Sequence, residues 1–552
     1  MSDEPRENGK ATPARDVTED FLLCNRCGAC RAVCPVCEAV GEEWAGARGK
    51  VEIAEAFFRG EDIGERELRG VFDLCLHCMT CEANCPSGMR ADEVIMAVRA
   101  EMARRGMIPW WKRLLLRAVE GMDSIVFRVM RALRLTRKAP LHGVGGRSPL
   151  SILYPLLGWP RQRFFPLPKD RPFLADNPEL FPASFFDAAF ERGISCGPGE
   201  IPEHLGRAAA EELAGRFESA RIRNRKDKKT AYFFLGHTVN HFFPEEAEAI
   251  VFLMNLAGID VRVPGDQTCC GAPAFYAGDI EAARRSAAEV IERMSRVDYD
   301  LVVTSCASGG RMLRHEFPRL LDITADGFFE IVWDPGEEVF TRKPSGEAAG
   351  ERYREAAKRY VERIEGKVFD INELLASELE LAEPPGVMDS LFGASNGSKT
   401  SIAGADGQDA PAEKPGIPED GRPVVTYHHP CHLARGQGVV WQPEMILRAL
   451  PGWRYVRMRD ADVCCGGGGT FTFTHPEEAE RIAGKKIEAI EEVAPEAVST
   501  ACPVCRIQLM DMLRRRFVLE ARKRGEPERE IPVLSPAELL AGEMRRILRG
   551  SS

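Results

Sequence analysis

The sequence predicts an α+β multidomain chain, with a helical N-terminal unit followed by two pseudo-symmetric α/β halves. Three observations carry this. Thirteen of the eighteen cysteines fall into three tight groups. The first two groups are separated by about forty residues with helical periodicity. The third group has a broken twin earlier in the chain, so the C-terminal part contains an internal repeat.

The first group is Cys24-x2-Cys27-x2-Cys30-x3-Cys34-Pro35 and the second is Cys75-x2-Cys78-x2-Cys81-x3-Cys85-Pro86. This run is the bacterial ferredoxin signature, in which the fourth cysteine ligates the other cluster. One [4Fe–4S] cubane is therefore assigned to Cys24, Cys27, Cys30 and Cys85. The second takes Cys75, Cys78, Cys81 and Cys34. Crossed ligation ties the two halves of the unit together, and metal binding should contribute to its folding energy. Zinc modules pair two short C-x2-C units instead. A disulfide framework needs an oxidising compartment, and the polar residues 1–20 have no apolar core of the kind an export signal requires. Between the runs, 51–58 and 65–72 read as helix, which predicts a helical ferredoxin-type domain rather than the compact β form. Cys37 and Cys196 read as small buried hydrophobes.

The third group is Cys431-x32-Cys464-Cys465-x36-Cys502-x2-Cys505. Residues 424–427 read as a buried strand, followed by a loop with His428, His429, Cys431 and His432. Cys464-Cys465 leads into the glycine run 466–469, which lets backbone approach a bulky ligand. Residues 497–501 read as a strand end before Cys502-Pro503-Val504-Cys505. Loops at strand ends are where α/β domains build sites. In the first copy, His237 stands where Cys431 does, Cys269-Cys270 repeat the pair, Cys306 follows and Gly309 replaces Cys505. Each copy continues into a helix, 280–294 and 476–493. The preferred reading of the three histidines is structural, with a proton donor as the alternative. Lys485-Lys486 reads as a solvated helix face.

This arrangement resembles the cysteine-rich CCG domain, which occurs twice in heterodisulfide reductase catalytic subunits. With the N-terminal dicluster unit, the layout is similar to heterodisulfide reductase subunits of the D type and to DsrK-type subunits. It is also similar to the iron–sulfur subunits of glycolate, lactate and anaerobic glycerol-3-phosphate oxidoreductases. The resemblance covers roughly residues 20–105, 228–380 and 422–545. It implies that Cys431, Cys464, Cys465, Cys502 and Cys505 hold a noncubane [4Fe–4S] cluster that cleaves a disulfide. The first copy keeps only three of five thiolates, so no noncubane cluster is expected there. Cys269, Cys270 and Cys306 either hold an ordinary cluster or pack the interface.

The expected organisation is a disordered segment 1–20, a dicluster domain 21–105, a basic amphipathic and proline-rich connection 106–227, a degenerate first CCG domain 228–382, a flexible linker 383–422 and a complete second CCG domain 423–550. A net charge of −10 argues against nucleic-acid binding. Cluster-forming thiols place the chain in the cytoplasm, or peripherally on the cytoplasmic face of a membrane. Residues 99–138 carry eleven Arg or Lys against three acids, with Trp110 and Trp111 among them. That stretch is either an interfacial helix docking a membrane subunit or a helix packed inward.

The leading functional expectation is a heterodisulfide-reductase-like oxidoreductase subunit, in which electrons pass through two cubanes to the CCG cluster and reduce a disulfide or related sulfur compound. The alternative is a conduit subunit of a flavin-dependent glycolate, lactate or glycerol-3-phosphate dehydrogenase feeding quinone. With no dinucleotide fingerprint, the chain is expected to carry neither FAD nor NAD and to rely on a flavoprotein, membrane cytochrome b or quinone-reactive partner. Protein purified anaerobically should be brown and carry iron and sulfide; colourless protein containing zinc would overturn the ligand assignments.

Overall fold

The computed structural model describes residues 17–110, 113, 116, 168–169, 171–186, 207–323, 329–336, 339–344, 351–383, 421–469 and 471–549. Among the described residues, the regular elements of the N-terminal unit are all helices. The expected helices lie in Ala47–Phe58 and Glu65–Phe72, and Ala91–Arg104 packs across both. Val51, Ala54, Phe57, Leu68 and Phe72 meet Val94, Ile95, Val98 and Met102 in one apolar core. Each cysteine run turns through a residue of positive φ, Gly28 at 84° and Met79 at 56°, into a short helix, Ala29–Val33 and Thr80–Ala83. The two runs thus share one local geometry. Residues 17–20, expected to be disordered, instead open the helix Val17–Leu23. The reason is burial: Asp20 is fully enclosed and pairs with Arg90 at 3.0 Å, and Phe21 enters the core. The remaining part of that expectation, 1–16, lies outside the described residues.

The first α/β half contains β1 (Leu180–Phe181), β2 (Thr230–Phe234), β3 (Asp260–Arg262), β4 (Leu301–Thr304), β5 (Phe329–Asp334), β6 (Val339–Pro344) and β7 (Val368–Asp370). Its sheet runs β1-β3-β2-β4-β7, parallel except for β1, and β5 and β6 form a separate antiparallel pair. The second half contains β8 (Val424–His428), β9 (Arg454–Tyr455), β10 (Ala497–Thr500) and β11 (Val533–Leu534), all parallel, in the order β9-β8-β10-β11. The central strands β4, β8 and β10 are buried at every residue, as a parallel sheet covered on both faces requires. The predicted helices Ile280–Met294 and Pro476–Val493 follow the Cys-Cys-Gly of each half.

Two features depart from the expected boundaries. The connection 106–227 contributes to the first half: β1 pairs with β3, and the helix Arg207–Asp227 buries Ala210, Leu213, Phe217 and Ala220 in its core. The hairpin β5–β6 reaches the N-terminal unit, where the Phe340 ring lies 4.7 Å from Phe21 and the Arg59 guanidinium sits 4.7 Å over Trp333. Most of the basic stretch, Cys196 and the body of the expected linker lie outside the described residues.

The two halves share one apolar core, in which Val303 and Ala307 join Val425 and Leu433. The helix Ala307–Arg311 crosses the helix Cys431–Gln437 so closely that a side chain at Gly310 would run into Gln437. The Gln437 amide donates to the Ala307 carbonyl at 2.8 Å. The N-terminal unit docks on both halves. Arg99 donates to Phe72 within its own unit at 3.0 Å and to Tyr276 of the first half at 2.8 Å. Leu76 seats on Gly468 of the second half, where a Cβ would lie 2.8 Å from the leucine Cδ2. Gly468→Ala should therefore cost about 1–3 kcal/mol by overpacking. The loss should shrink in a Leu76→Ala background, and a double-mutant cycle in urea reads that coupling.

Candidate functional site

The first four-cysteine run, together with the C-terminal end of the second, lines an open pocket with Cys24, Cys27, Cys30, Cys81 and Cys85 among its walls. Burial pushes the Cys30 thiol up, and the neighbouring Cys24, Cys85 and Cys27 add to the effect. The other four thiols gather separately. Cys34 faces Cys75, and Cys81 faces Cys78, Cys75 and Cys34. Burial raises all three of Cys34, Cys78 and Cys81, Cys78 to about 12. A cation lies beside this second group. Lys50 is buried near Cys75 and Cys34, donates to the Ala45 carbonyl, and has its own pKa lowered by desolvation.

The third group converges from three places on the second half. Cys431 opens the helix Cys431–Gln437, Cys464-Cys465 precede the glycine run, and Cys502 caps the helix Pro503–Arg514 that carries Cys505. The five thiols are electrostatic neighbours in the order Cys431, Cys464, Cys465, Cys505, Cys502. The adjacent Cys431 and Cys465 hold Cys464 well below the ordinary thiol range, and the adjacent Cys505 lowers Cys502. Sulfur donors in contact, two of them biased to thiolate, are a donor set that fits iron–sulfur ligation, which requires deprotonated thiols. Among the described residues the cysteines are free thiols.

The glycine run serves packing in several directions. A Cβ at Gly467 would lie 3.0 Å from Gln508 Cβ, and one at Gly466 (φ 76°) 2.7 Å from the Ala479 carbonyl. With Gly468 under Leu76, the run fits Cys465 between the second-half helices and the N-terminal unit.

The histidines do different things. His428 is the last residue of β8 rather than a loop residue. His429 bonds Glu444 at 2.7 Å in a buried pair. His432 is held by Ser308 at 2.9 Å and by the His77 carbonyl at 2.9 Å, and burial lowers it to about 4. His429 and His432 thus fit the structural reading. His432 also stacks on Tyr276 at 5.0 Å, and Tyr276 lies 5.6 Å from His77. One ring from each of the three units meets there. His428 differs: both ring nitrogens are buried without a hydrogen-bond partner, and one lies within 4.8 Å of the Cys465 and Cys505 sulfurs.

Lys486 corrects the sequence expectation. Lys485 is exposed and pairs with Glu38, but Lys486 is 1% exposed and donates to the Asp460 carbonyl. Desolvation lowers it to about 8, while Asp462, Cys465, Asp460 and Cys464 pull it back up. The signal was present in the pattern, since Lys486 shares the apolar face of its helix with Ile482, Ala483 and Ile490. Arg435 was missed as well. It is buried, pairs with Asp462 at 2.6 Å and lies near Cys78, Cys431 and Cys464.

The first copy has no comparable five-thiol group in its described residues. Cys269 and burial raise the Cys270 thiol, and burial raises Cys306, which neighbours Cys502 across the interface between the halves. His237 and Gly309 occupy the remaining positions.

A family model described as a cysteine-rich domain (CCG) matches residues 231–314 and 425–510, and one described as a 4Fe-4S dicluster domain matches 20–89. A fumarate reductase (CoM/CoB) subunit from Methanothermobacter marburgensis is 27% identical over 57% of this chain and 46% of its own length. The chain thus spans about half the length of that relative. The probable glycolate oxidase iron-sulfur subunit of Bacillus subtilis is 23% identical over 89% of this chain and 88% of its own length. The glycolate oxidase iron-sulfur subunit of Escherichia coli is 22% identical over 92% and 94%. The chain carries one 4Fe-4S dicluster domain and two CCG cysteine-rich domains, and it is an iron–sulfur electron-transfer protein similar to these oxidoreductase subunits.

Proposed function

We propose that the chain relays electrons along three cluster sites in series and delivers them to a disulfide or related sulfur substrate at the five-thiol site. Cys24, Cys27, Cys30 and Cys85 hold the first [4Fe–4S] cluster, and Cys34, Cys75, Cys78 and Cys81 the second. Cys431, Cys464, Cys465, Cys502 and Cys505 hold a third, noncubane one. Such clusters, when bound, supply reversible one-electron carriage. The observation that carries the proposal is the position of Cys78, which is buried against Cys464, while Cys81 lines the pocket of the first group.

The chain's own residues prepare the third site. Lys486 and Arg435 bring positive charge beside thiolates that burial would otherwise disfavour. Apolar Phe471, Leu76 and Ile482 pack around Cys464 and keep water from it. The matching strand orders of the two halves and the Cys306–Cys502 contact support a pseudo-twofold pair in which only the second half keeps five thiols.

A second reading is favoured by the nearly full-length similarity to glycolate oxidase iron-sulfur subunits. In it the chain is the conduit of a flavin-dependent glycolate, lactate or glycerol-3-phosphate dehydrogenase, with a flavoprotein partner and a quinone-reactive or cytochrome b partner. Peripheral association with a membrane through that partner is compatible with the helices, none of which, among the described residues, is long and apolar enough to cross one.

Electron paramagnetic resonance separates the two readings. A signal that appears only when a thiol is added to the oxidised protein supports sulfur-substrate binding, and its absence favours the conduit. Cys464→Ala should remove disulfide reduction and one cluster's worth of iron while both N-terminal clusters remain; loss of two clusters would overturn the ligand assignment. Lys486→Met should lower the reduction potential of the third cluster by roughly 50–100 mV, the order given by one charge at about 8 Å and an effective dielectric of ~20, as read by redox titration.

A further inference from the structure

Strand β8 ends on His428, whose backbone pairs in register with Thr500 of β10. Its ring is 1% exposed, and neither nitrogen has a hydrogen-bond partner. The Ala461 carbonyl approaches the ring without closing a bond. A buried polar group left unmatched costs about 1–3 kcal/mol, so such a ring calls for a partner that is not a protein atom. The neighbouring histidines are committed, His429 to Glu444 and His432 to Ser308 and the His77 carbonyl. One His428 nitrogen, Cys465 Sγ and Cys505 Sγ lie within 4.8 Å of one another, and all three residues are buried.

We propose that His428 is a sixth protein ligand at the five-thiol site, giving an imidazole nitrogen to a metal ion also held by Cys465 and Cys505. This rests on the reading that the five thiols hold iron. Metal–nitrogen bonds of about 2.0–2.1 Å and metal–sulfur bonds of about 2.3 Å draw three donors closer than this triangle by an adjustment that side-chain torsions can make.

The first copy supplies an independent argument. The residue three positions before His237 is Phe234, which pairs with Thr304 as His428 pairs with Thr500. Gly309 stands in place of Cys505. The triangle His428, Cys465, Cys505 becomes Phe234, Cys270, Gly309. Two of its three donors are missing from the same copy, as expected if they serve one ion.

The test uses the full chain, purified anaerobically from cells fed 15N-histidine, and pulsed electron paramagnetic resonance of the third cluster in its paramagnetic state. Wild type should show a strongly coupled 15N nucleus, and His428→Phe, which copies the first half, should lose it. Redox titration should show a shifted potential for that cluster alone. His428→Cys, which restores a metal donor, should retain more iron than His428→Phe. Iron at the third site without histidine coupling in wild type, or coupling that survives in His428→Phe, would overturn the ligand and leave the five-thiol reading standing. Iron for only two clusters in wild type would overturn both.

Discussion

Thiols packed inside a protein resist ionisation, because thiolates there would lose their hydration and repel one another, and the chain sets buried cations beside them. Burial raises Cys34, Cys78, Cys81 and Cys306. The same low dielectric makes each compensating charge and hydrogen bond count for more. The chain answers with buried cations, Lys50 beside the second cysteine group and Lys486 with Arg435 beside the third. Each of these cations carries its own desolvation cost, which the neighbouring thiols and carboxylates offset.

The second and third cysteine groups meet where Leu76 seats on Gly468 and where the rings of His77, Tyr276 and His432 stack. The first half, with few thiols left, contributes walls: Tyr276, Ser308 and the crossing helix Ala307–Arg311. A degenerate repeat retained as scaffold keeps the interface that its intact partner needs. The hairpin β5–β6 and Arg99 fasten the N-terminal unit to that scaffold.

Much of the site was legible because cluster ligation leaves dense local marks. Three thiols on one loop need fixed spacing, and Cys-Cys followed by glycine needs a tight turn, so both survive as strings. Strands β8 and β10 and the helices after each Cys-Cys-Gly were legible for a similar reason: parallel strands buried on both faces read as apolar runs. Lys486 was misread because a lysine pair carries the ordinary signature of a solvated face, and its phase among Ile482, Ala483 and Ile490 was outweighed by its charge. The helix Arg207–Asp227 was read as connection because its apolar positions are mostly alanine, and the hairpin β5–β6 was not anticipated.

The sequence by itself determined which cysteines fall into groups, since loop spacing is a local property. It also determined that the C-terminal part is a repeat with one damaged copy. The tertiary structure decided what lies next to what: Cys78 against Cys464, Cys306 against Cys502, and His428 with both ring nitrogens unmatched beside Cys465 and Cys505. These pairs are separated by tens to hundreds of residues, and their proximity follows from sheet order and helix crossing, which no local pattern encodes.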